Sequence, residues 1–301
     1  MPEAAGEPFD PLASQDDWLT VRPGEPPLFA RQWGDAQGRH PLLIIHGAGE
    51  HSGHYAQTAA DLVRGGYVVH AVDLPGHGRS PGVRGHILRF AEYLEVVAAL
   101  IRHVEVPAGP RPVLLGHSLG GLIATSYAAA HPTTVRRLIL SAPLWGLRVP
   151  VPAWKQAAAR LLDVWWPSLT FARPRLIGRS LSHDPEVTAR YASDPLVHAR
   201  ASVRWYTELQ RQLAILPDLV PGVRVPLLVL QGEADRIADP QAVDRLFPLV
   251  GSSSKRVIRY AGYYHEVLNE LGRERVIRDL LEWLSGLESH DAGKISSSER
   301  A

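Results

Sequence analysis

Hydrophobic positions along the 301-residue chain fall into two alternating kinds of run. Short, nearly continuous apolar stretches stand at Pro41-Leu42-Leu43-Ile44-Ile45-His46, at Tyr67 to Asp73, and at Val113-Leu114-Leu115. Others stand at Arg137 to Ser141, Val225 to Leu230 and Arg256 to Tyr260. Runs of this length, without polar alternation, suit strands buried on both faces of a parallel sheet. Between them, apolar residues recur three and four apart, the period of a helix. This pattern predicts helices over His54–Arg64, ended by Gly65-Gly66, and over Ile87–Val104, where Leu94, Val97, Ala98 and Ile101 share a face. It also predicts helices over Leu119–Ala130 and Glu274–Leu287. Asp17 to Trp33 alternates apolar and polar residues around Pro23-Gly24-Glu25-Pro26, which predicts two short antiparallel strands. Strands alternating with helices imply an α/β fold, a mostly parallel central sheet with helices on both faces.

The alternation breaks from Leu144 to about Leu216, a stretch rich in Pro, Trp and Arg. Its period is helical, and Trp154, Ala157, Ala158, Leu161, Leu162 and Trp165 fall on one helix face. An insert at this point of the strand order is expected to fold above the strand carboxyl ends, where open α/β sheets bind ligands. The expected organisation is a loose arm over 1–15, a core from 16–143 and 217–287, a helical cap over 144–216, and a disordered polar tail over 288–301. The Trp-bearing face has two readings. It packs on the domain and lines the pocket, or it faces out and touches a lipid surface, since Trp favours the membrane interface.

Composition narrows the classes. Apolar residues make up 45% and charged residues 21%, the values of an ordinary globular protein. A net charge of +1 gives no reason to expect nucleic acid as a partner. There are no cysteines, which excludes disulfides, thiolate metal sites and a cysteine nucleophile. The first residues are acidic, with no apolar core of a secretory signal, and no run is long enough to span a bilayer. A cytoplasmic location is therefore expected, peripheral to a membrane if the cap meets lipid. The sequence leaves the oligomeric state open.

The chemistry gathers at Gly116-His117-Ser118-Leu119-Gly120, which joins an apolar strand to a helix-compatible stretch. This is the context of a nucleophile elbow: small flanking residues allow a sharp turn that lifts the Ser118 hydroxyl above the sheet edge. A serine hydroxyl is a weak nucleophile and needs a base, itself oriented by an acid. The acid is expected after a later strand and the histidine last. Glu233, Asp235 and Asp239 follow the Val225–Leu230 run. Asp235 is best placed in a loop facing the site, while Asp239-Pro240 suits a helix cap and Glu233 a turn. Of 14 histidines, His265 stands in the loop directly after the last apolar strand; His290 lies in the polar tail. The oxyanion donors are expected from the backbone N–H of Leu119 and, in His46-Gly47-Ala48-Gly49-Glu50-His51, that of Ala48. His46, His77 and His117 are expected to brace these loops. No metal or cofactor is expected: the histidines lack helix spacing for a metal, and neither a dinucleotide fingerprint nor a P-loop appears.

These residues carry a resemblance. His46-Gly47-Ala48-Gly49-Glu50-His51 with Tyr55, then Asp73-Leu74-Pro75-Gly76-His77-Gly78-Arg79-Ser80, then the elbow, Asp235 and His265, resemble the α/β-hydrolase superfamily. Within it they resemble the monoacylglycerol lipase and lysophospholipase-like serine hydrolases. The resemblance runs from about Trp18 to Leu287. It implies an α/β-hydrolase fold, hydrolysis of lipid-like carboxylic esters with acyl glycerols as leading substrates, and a helical cap over an apolar acyl channel. That family often has Arg-Tyr after the H-G-x-G-E-H segment; here His54 precedes Tyr55. Short-chain carboxylesterase, lysophospholipase and acyltransferase chemistry share the same triad. A non-enzymatic ligand-binding or interaction protein is the competing class. Dehalogenase and epoxide hydrolase chemistry is disfavoured, since those relatives place an aspartate where Ser118 stands.

Overall fold

The structure, a computed structural model, describes residues 13–35, 40–104, 109–148, 151–172 and 180–298, with backbone alone from 288 on. It enters as β1 (Gln15–Leu19) and β2 (Leu28–Trp33), then β3 (His40–Ile45), α1 (Ala56–Arg64), β4 (Tyr67–Val72) and α2 (Ala91–Val104). Next come β5 (Val113–His117), α3 (Leu119–Ala130) and β6 (Arg137–Ser141). The segment that breaks the alternation holds α4 (Ala153–Trp165), β7 (Thr170–Ala172), α5 (Pro185–Ser193), β8 (Arg200–Ser202) and α6 (Val203–Leu219). The chain closes with β9 (Leu227–Gly232), α7 (Pro240–Leu246), β10 (Lys255–Tyr260) and α8 (Arg273–Ser298).

Eight strands form one sheet in the order β1-β2-β4-β3-β5-β6-β9-β10. β1 and β2 pair antiparallel, as does β2 with β4; all other pairs are parallel. The continuous apolar runs are explained by burial on both faces. Leu43, Ile45, Leu114, Leu138, Leu140, Leu227 and Val229 point to the side covered by α2, α3 and α6. Leu42, Ile44, Leu115, Ile139, Leu228 and Leu230 point to the side covered by α1 and α8. Alternate residues of one strand thus enter two different cores.

Three boundaries differ most from those expected. The helix expected from Ile87 begins at Ala91, because the Phe90 N–H is taken by Glu208 of α6 at 2.8 Å and the Arg89 N–H by Glu92 at 3.1 Å. The cap boundary expected after Leu216 falls inside α6, where Leu216 is fully buried in the core and Pro217 stands in the last turn. The tail expected to be disordered continues α8 as far as Ser298; no proline interrupts that stretch, so no backbone amide is missing from the helix. Residues 1–12 of the expected arm and 299–301 of the tail lie outside the described residues.

The inserted segment sits on the loops at the strand carboxyl ends. His198 N–H donates to Gly49 O at 2.9 Å, Ser202 N–H to Gly85 O at 2.8 Å, and Glu266 N–H to Leu181 O at 2.9 Å. On α4 the stripe of small and aromatic residues does not pack on the domain: Trp154, Leu161 and Trp165 are 69%, 66% and 70% exposed. The opposite face is held instead. Asp163 is buried and accepts from Arg204 and Arg211 of α6. That ion cluster turns the Trp-bearing face outward.

Candidate active site

The elbow forms because strand and helix approach too closely for side chains at its base. A Cβ on Gly120 would lie 2.0 Å from Ile45 O, and one on Gly116 would lie 2.2 Å from Gly120 O. Between them Ser118 adopts φ 51°, ψ −115°, a conformation costing a residue with a side chain about 1–3 kcal/mol. The strain is held by Ser118 N–H donating to Ser141 O at 3.0 Å and by Leu144 N–H donating to Ser118 O at 2.9 Å. Ser118 therefore stands at the mouth of α3. Leu119 opens that helix, whose first amides point out of the helix end.

The structure brings Ser118, His265 and Asp235 together from three loops. His265 Nε2 lies 2.9 Å from Ser118 Oγ, and His265 Nδ1 lies 2.8 Å from Asp235 Oδ2. All three are buried. A carboxylate only accepts, so Nδ1 carries the proton and Nε2 offers its lone pair to the Ser118 hydroxyl. Asp235 is fixed in turn: its Oδ1 accepts Ile237 N–H at 2.8 Å and Ala238 N–H at 3.1 Å. Glu233 is exposed, and Asp239 caps α7 through Gln241 N–H at 3.1 Å. His290 falls in the C-terminal part of α8.

Ala48 follows β3 in a turn laid against Ser118, where a Cβ on Gly47 would stand 3.2 Å from Ser118 Cβ. His46 shapes this turn. Its Nδ1–H donates to Gly47 O at 2.7 Å, and its Nε2 accepts Leu74 N–H at 2.9 Å. Burial pushes its pKa down, consistent with a neutral ring. Asp73 ties the neighbouring loops, accepting Ser52 N–H at 2.7 Å and Arg79 N–H at 2.8 Å. His77 Nδ1–H donates to Pro75 O at 3.0 Å.

Behind the site lies a buried polar network that sequence reading did not anticipate. Glu50 accepts from Gly47 N–H, from Tyr55 OH at 2.8 Å, and from Tyr191 OH of the insert. Glu266, beside His265, accepts from His117 Nε2–H at 3.0 Å and Asn269 Nδ2–H at 3.0 Å. Tyr191 OH lies 3.2 Å from Glu266 and so spans the two carboxylates. Burial alone would lower the His117 pKa, but Glu266 outweighs it and raises it to about 9. Burial would likewise raise Glu50, but His54 and His117 hold it well below the usual carboxylate range. Glu50 and Glu266 adjoin the expected motifs and were within reach of the sequence. Tyr191 and Asp194 carry no signal there, because their partners lie about 140 residues earlier in the chain.

Among the described residues, one group has metal-ligand spacing: His51, His54 and Asp194. His51 Nδ1 accepts Gly53 N–H at 3.1 Å, so its Nε2 carries a proton, donated to Asp194 at 2.9 Å. Asp194 Oδ2 accepts from both histidines, from His51 at 2.9 Å and His54 at 3.2 Å, so the cluster is tied together by hydrogen bonds.

The family described as Serine aminopeptidase, S33 (Hydrolase_4) matches residues 36–272. A monoacylglycerol lipase of Mycolicibacterium smegmatis is 32% identical over 260 residues, 83% of this chain and 89% of that protein. Phospholipase YtpA of Bacillus subtilis is 35% identical over 244 residues, 79% of this chain and 92% of that protein. Among solved structures, the monoacylglycerol lipase of Paleococcus ferrophilus superposes with a TM-score of 0.77 at 31% identity, covering 85% of this chain and 98% of that one. With the matched span reaching from before β3 to the turn that opens α8, the chain belongs to the Hydrolase_4 (serine aminopeptidase S33) family, as an α/β-hydrolase of the monoacylglycerol lipase-like kind.

Proposed function

We propose that the protein hydrolyses carboxylic esters of lipid-like substrates, monoacylglycerols foremost, through an acyl-enzyme on Ser118. The carrying observation is that one imidazole, His265, meets the Ser118 hydroxyl at 2.9 Å and the Asp235 carboxylate at 2.8 Å. Ser118 Oγ attacks the ester carbonyl as its proton passes to His265 Nε2, and Asp235 stabilises the imidazolium. The N–H groups of Ala48 and Leu119 receive the oxyanion. Collapse expels the alcohol, which takes the proton from Nε2. Water then attacks the acyl carbonyl, gives a proton to Nε2, and collapse returns a proton to Ser118 Oγ and releases the acid. Segment 144–216 serves as the cap over this site. Lysophospholipids are the second substrate class, supported by the match to lysophospholipase L2 of Escherichia coli; short-chain ester hydrolysis and acyl transfer use the same triad.

The exposed α4 face, with Trp154, Leu161, Val164, Trp165 and Trp166, supports transient contact of the cap with a lipid surface. Among the described residues, no helix is long and apolar enough to cross a membrane. Fluorophosphonate labelling followed by a screen of monoacylglycerols, lysophospholipids and short esters tests the reaction. Ser118→Ala is expected to fold, to lose labelling and to lose turnover. Retained esterase activity in that variant would rule out Ser118 as nucleophile.

A further inference from the structure

The 3-10 turn Ser52–Tyr55 sets the His54 ring between two carboxylates on different parts of the fold. Its Nε2 lies 3.2 Å from Asp194 Oδ2, just past the end of α5 in the insert. Its Nδ1 lies 3.6 Å from Glu50 Oε2, too long for a hydrogen bond and within ion-pair reach. A neutral imidazole has one N–H and one lone pair. Whichever nitrogen holds the proton, the other would turn its lone pair onto a carboxylate. His51 does not relieve the conflict: it is the neutral neighbour, and its single N–H is already donated to Asp194. Only the imidazolium form of His54 turns an N–H toward both carboxylates, hydrogen-bonding Asp194 through Nε2 and pairing by charge alone with Glu50, since buried Nδ1 has no hydrogen-bond partner.

The surroundings agree. Glu266 adds negative potential from the base loop, and Tyr191 packs its ring 4.3 Å from that of His54. Tyr55 and Tyr191 hydroxyls donate to Glu50. His117 is the other cation that faces Glu50, and Arg31 reaches the turn through the Ser52 hydroxyl at 3.2 Å. Burial would lower the His54 pKa, but Glu50, with Asp194 and Glu266, outweighs it and leaves it raised. Raised means that the cation persists above the ordinary histidine value and is lost only as pH climbs through the higher value set by the fold.

We propose that His54 is a positioning residue which, as imidazolium, ties the insert to the oxyanion turn. The link runs from Asp194 through His54 to Glu50, and from Glu50 to Gly47 N–H, one residue before Ala48. His54 touches no reacting atom. Where the resembling family often has an arginine, a permanent cation, this chain has one that titrates. The role rests on the ester hydrolase reading of Ser118; the protonation of His54 does not.

Two measurements on the full chain test it. In 15N NMR of the wild type, His54 is expected to show both ring N–H groups near pH 6.5 and to lose one as pH rises. In a kcat-against-pH profile on a short soluble ester, wild-type kcat is expected to fall about tenfold on the alkaline side with KM changing little. That is a part of the 10²–10³ lost when an oxyanion donor is removed outright, since Ala48 is displaced rather than deleted. His54→Arg should postpone the fall to the range where His117 titrates, about 9. His54→Gln should show the tenfold loss already at neutral pH. A single ring N–H at pH 6.5, or two variants that both track the wild-type profile, would overturn the proposal. A wild type that neither takes the fluorophosphonate nor cleaves any ester would instead sink the hydrolase reading, while the NMR still reports the ion pair.

Discussion

Replacing Asp235 by Asn tests the orienting acid without changing its shape. Asp235 uses Oδ1 for two backbone amides, Ile237 at 2.8 Å and Ala238 at 3.1 Å, and Oδ2 for His265 Nδ1 at 2.8 Å. The side-chain amide nitrogen of Asn cannot accept, so its oxygen must keep the two backbone donors. The NH2 group is then forced toward His265. The imidazole answers by accepting at Nδ1, which moves its proton to Nε2, toward Ser118 Oγ. In that tautomer it cannot take the serine proton. The expected loss is about 10⁴ in kcat, or about 5 kcal/mol of transition-state stabilisation. The loop stays anchored, so the melting temperature should change by only a few degrees. The assay is kcat on a short ester and the fluorophosphonate labelling rate, beside thermal melts. Glu233→Gln, at an exposed position, should stay within about twofold. A folded Asp235→Asn variant with kcat within tenfold of wild type would refute the reasoning. Refutation would be sharper still if Glu233→Gln or Asp239→Asn were the variant that lost activity.

Three further outcomes follow from the geometry. Gly120→Ala would put a Cβ 2.0 Å from Ile45 O and 2.7 Å from His46 O. Both are backbone atoms, so α3 must shift; we expect about 3 kcal/mol of destabilisation in urea melts, and a loss under 0.5 kcal/mol would contradict the close approach. Trp154→Ser with Trp165→Ser removes exposed side chains, so stability should hold within about 0.5 kcal/mol while co-sedimentation with phospholipid vesicles falls. Equal sedimentation of both proteins, or of neither, would remove the proposed lipid contact from this face. His117 is raised from 6.5 to about 9 in the fold, so its contribution to stability is complete below pH 6.5 and is lost as pH passes about 9. That contribution is about 3 kcal/mol; unfolding free energies that do not decline between pH 6.5 and 10 would argue against a buried His117 cation.

Much of the sheet and the elbow was legible because their signals are local. A strand buried on both faces must be apolar at every position, as at Leu42–Ile45, whichever helices cover it. The elbow needs glycines wherever backbone meets backbone, and Gly116 and Gly120 stand there. Asp235 and His265 were reached through chain order and loop position. The carboxylates behind the site were harder to see. Nothing near Glu50 in the chain announces Tyr191, which donates to it from 141 residues later. The start of α2 is hidden from the sequence for a related reason: Glu208, contributed by α6, takes the Phe90 amide, and no local pattern reports that.

By itself the sequence determined the chain order of the core strands and helices, where the insert falls and which three side chains, Ser118, Asp235 and His265, meet at the elbow, because each follows from periodicity, turn chemistry or chain order. Only the tertiary structure decided which way α4 turns. A hydrophobic stripe identifies a face but not what covers it, and here Asp163, gripped by Arg204 and Arg211, leaves that stripe to solvent. The tertiary structure likewise decided the charge of His54, since an imidazole becomes a cation only once folding has set two carboxylates against its two nitrogens.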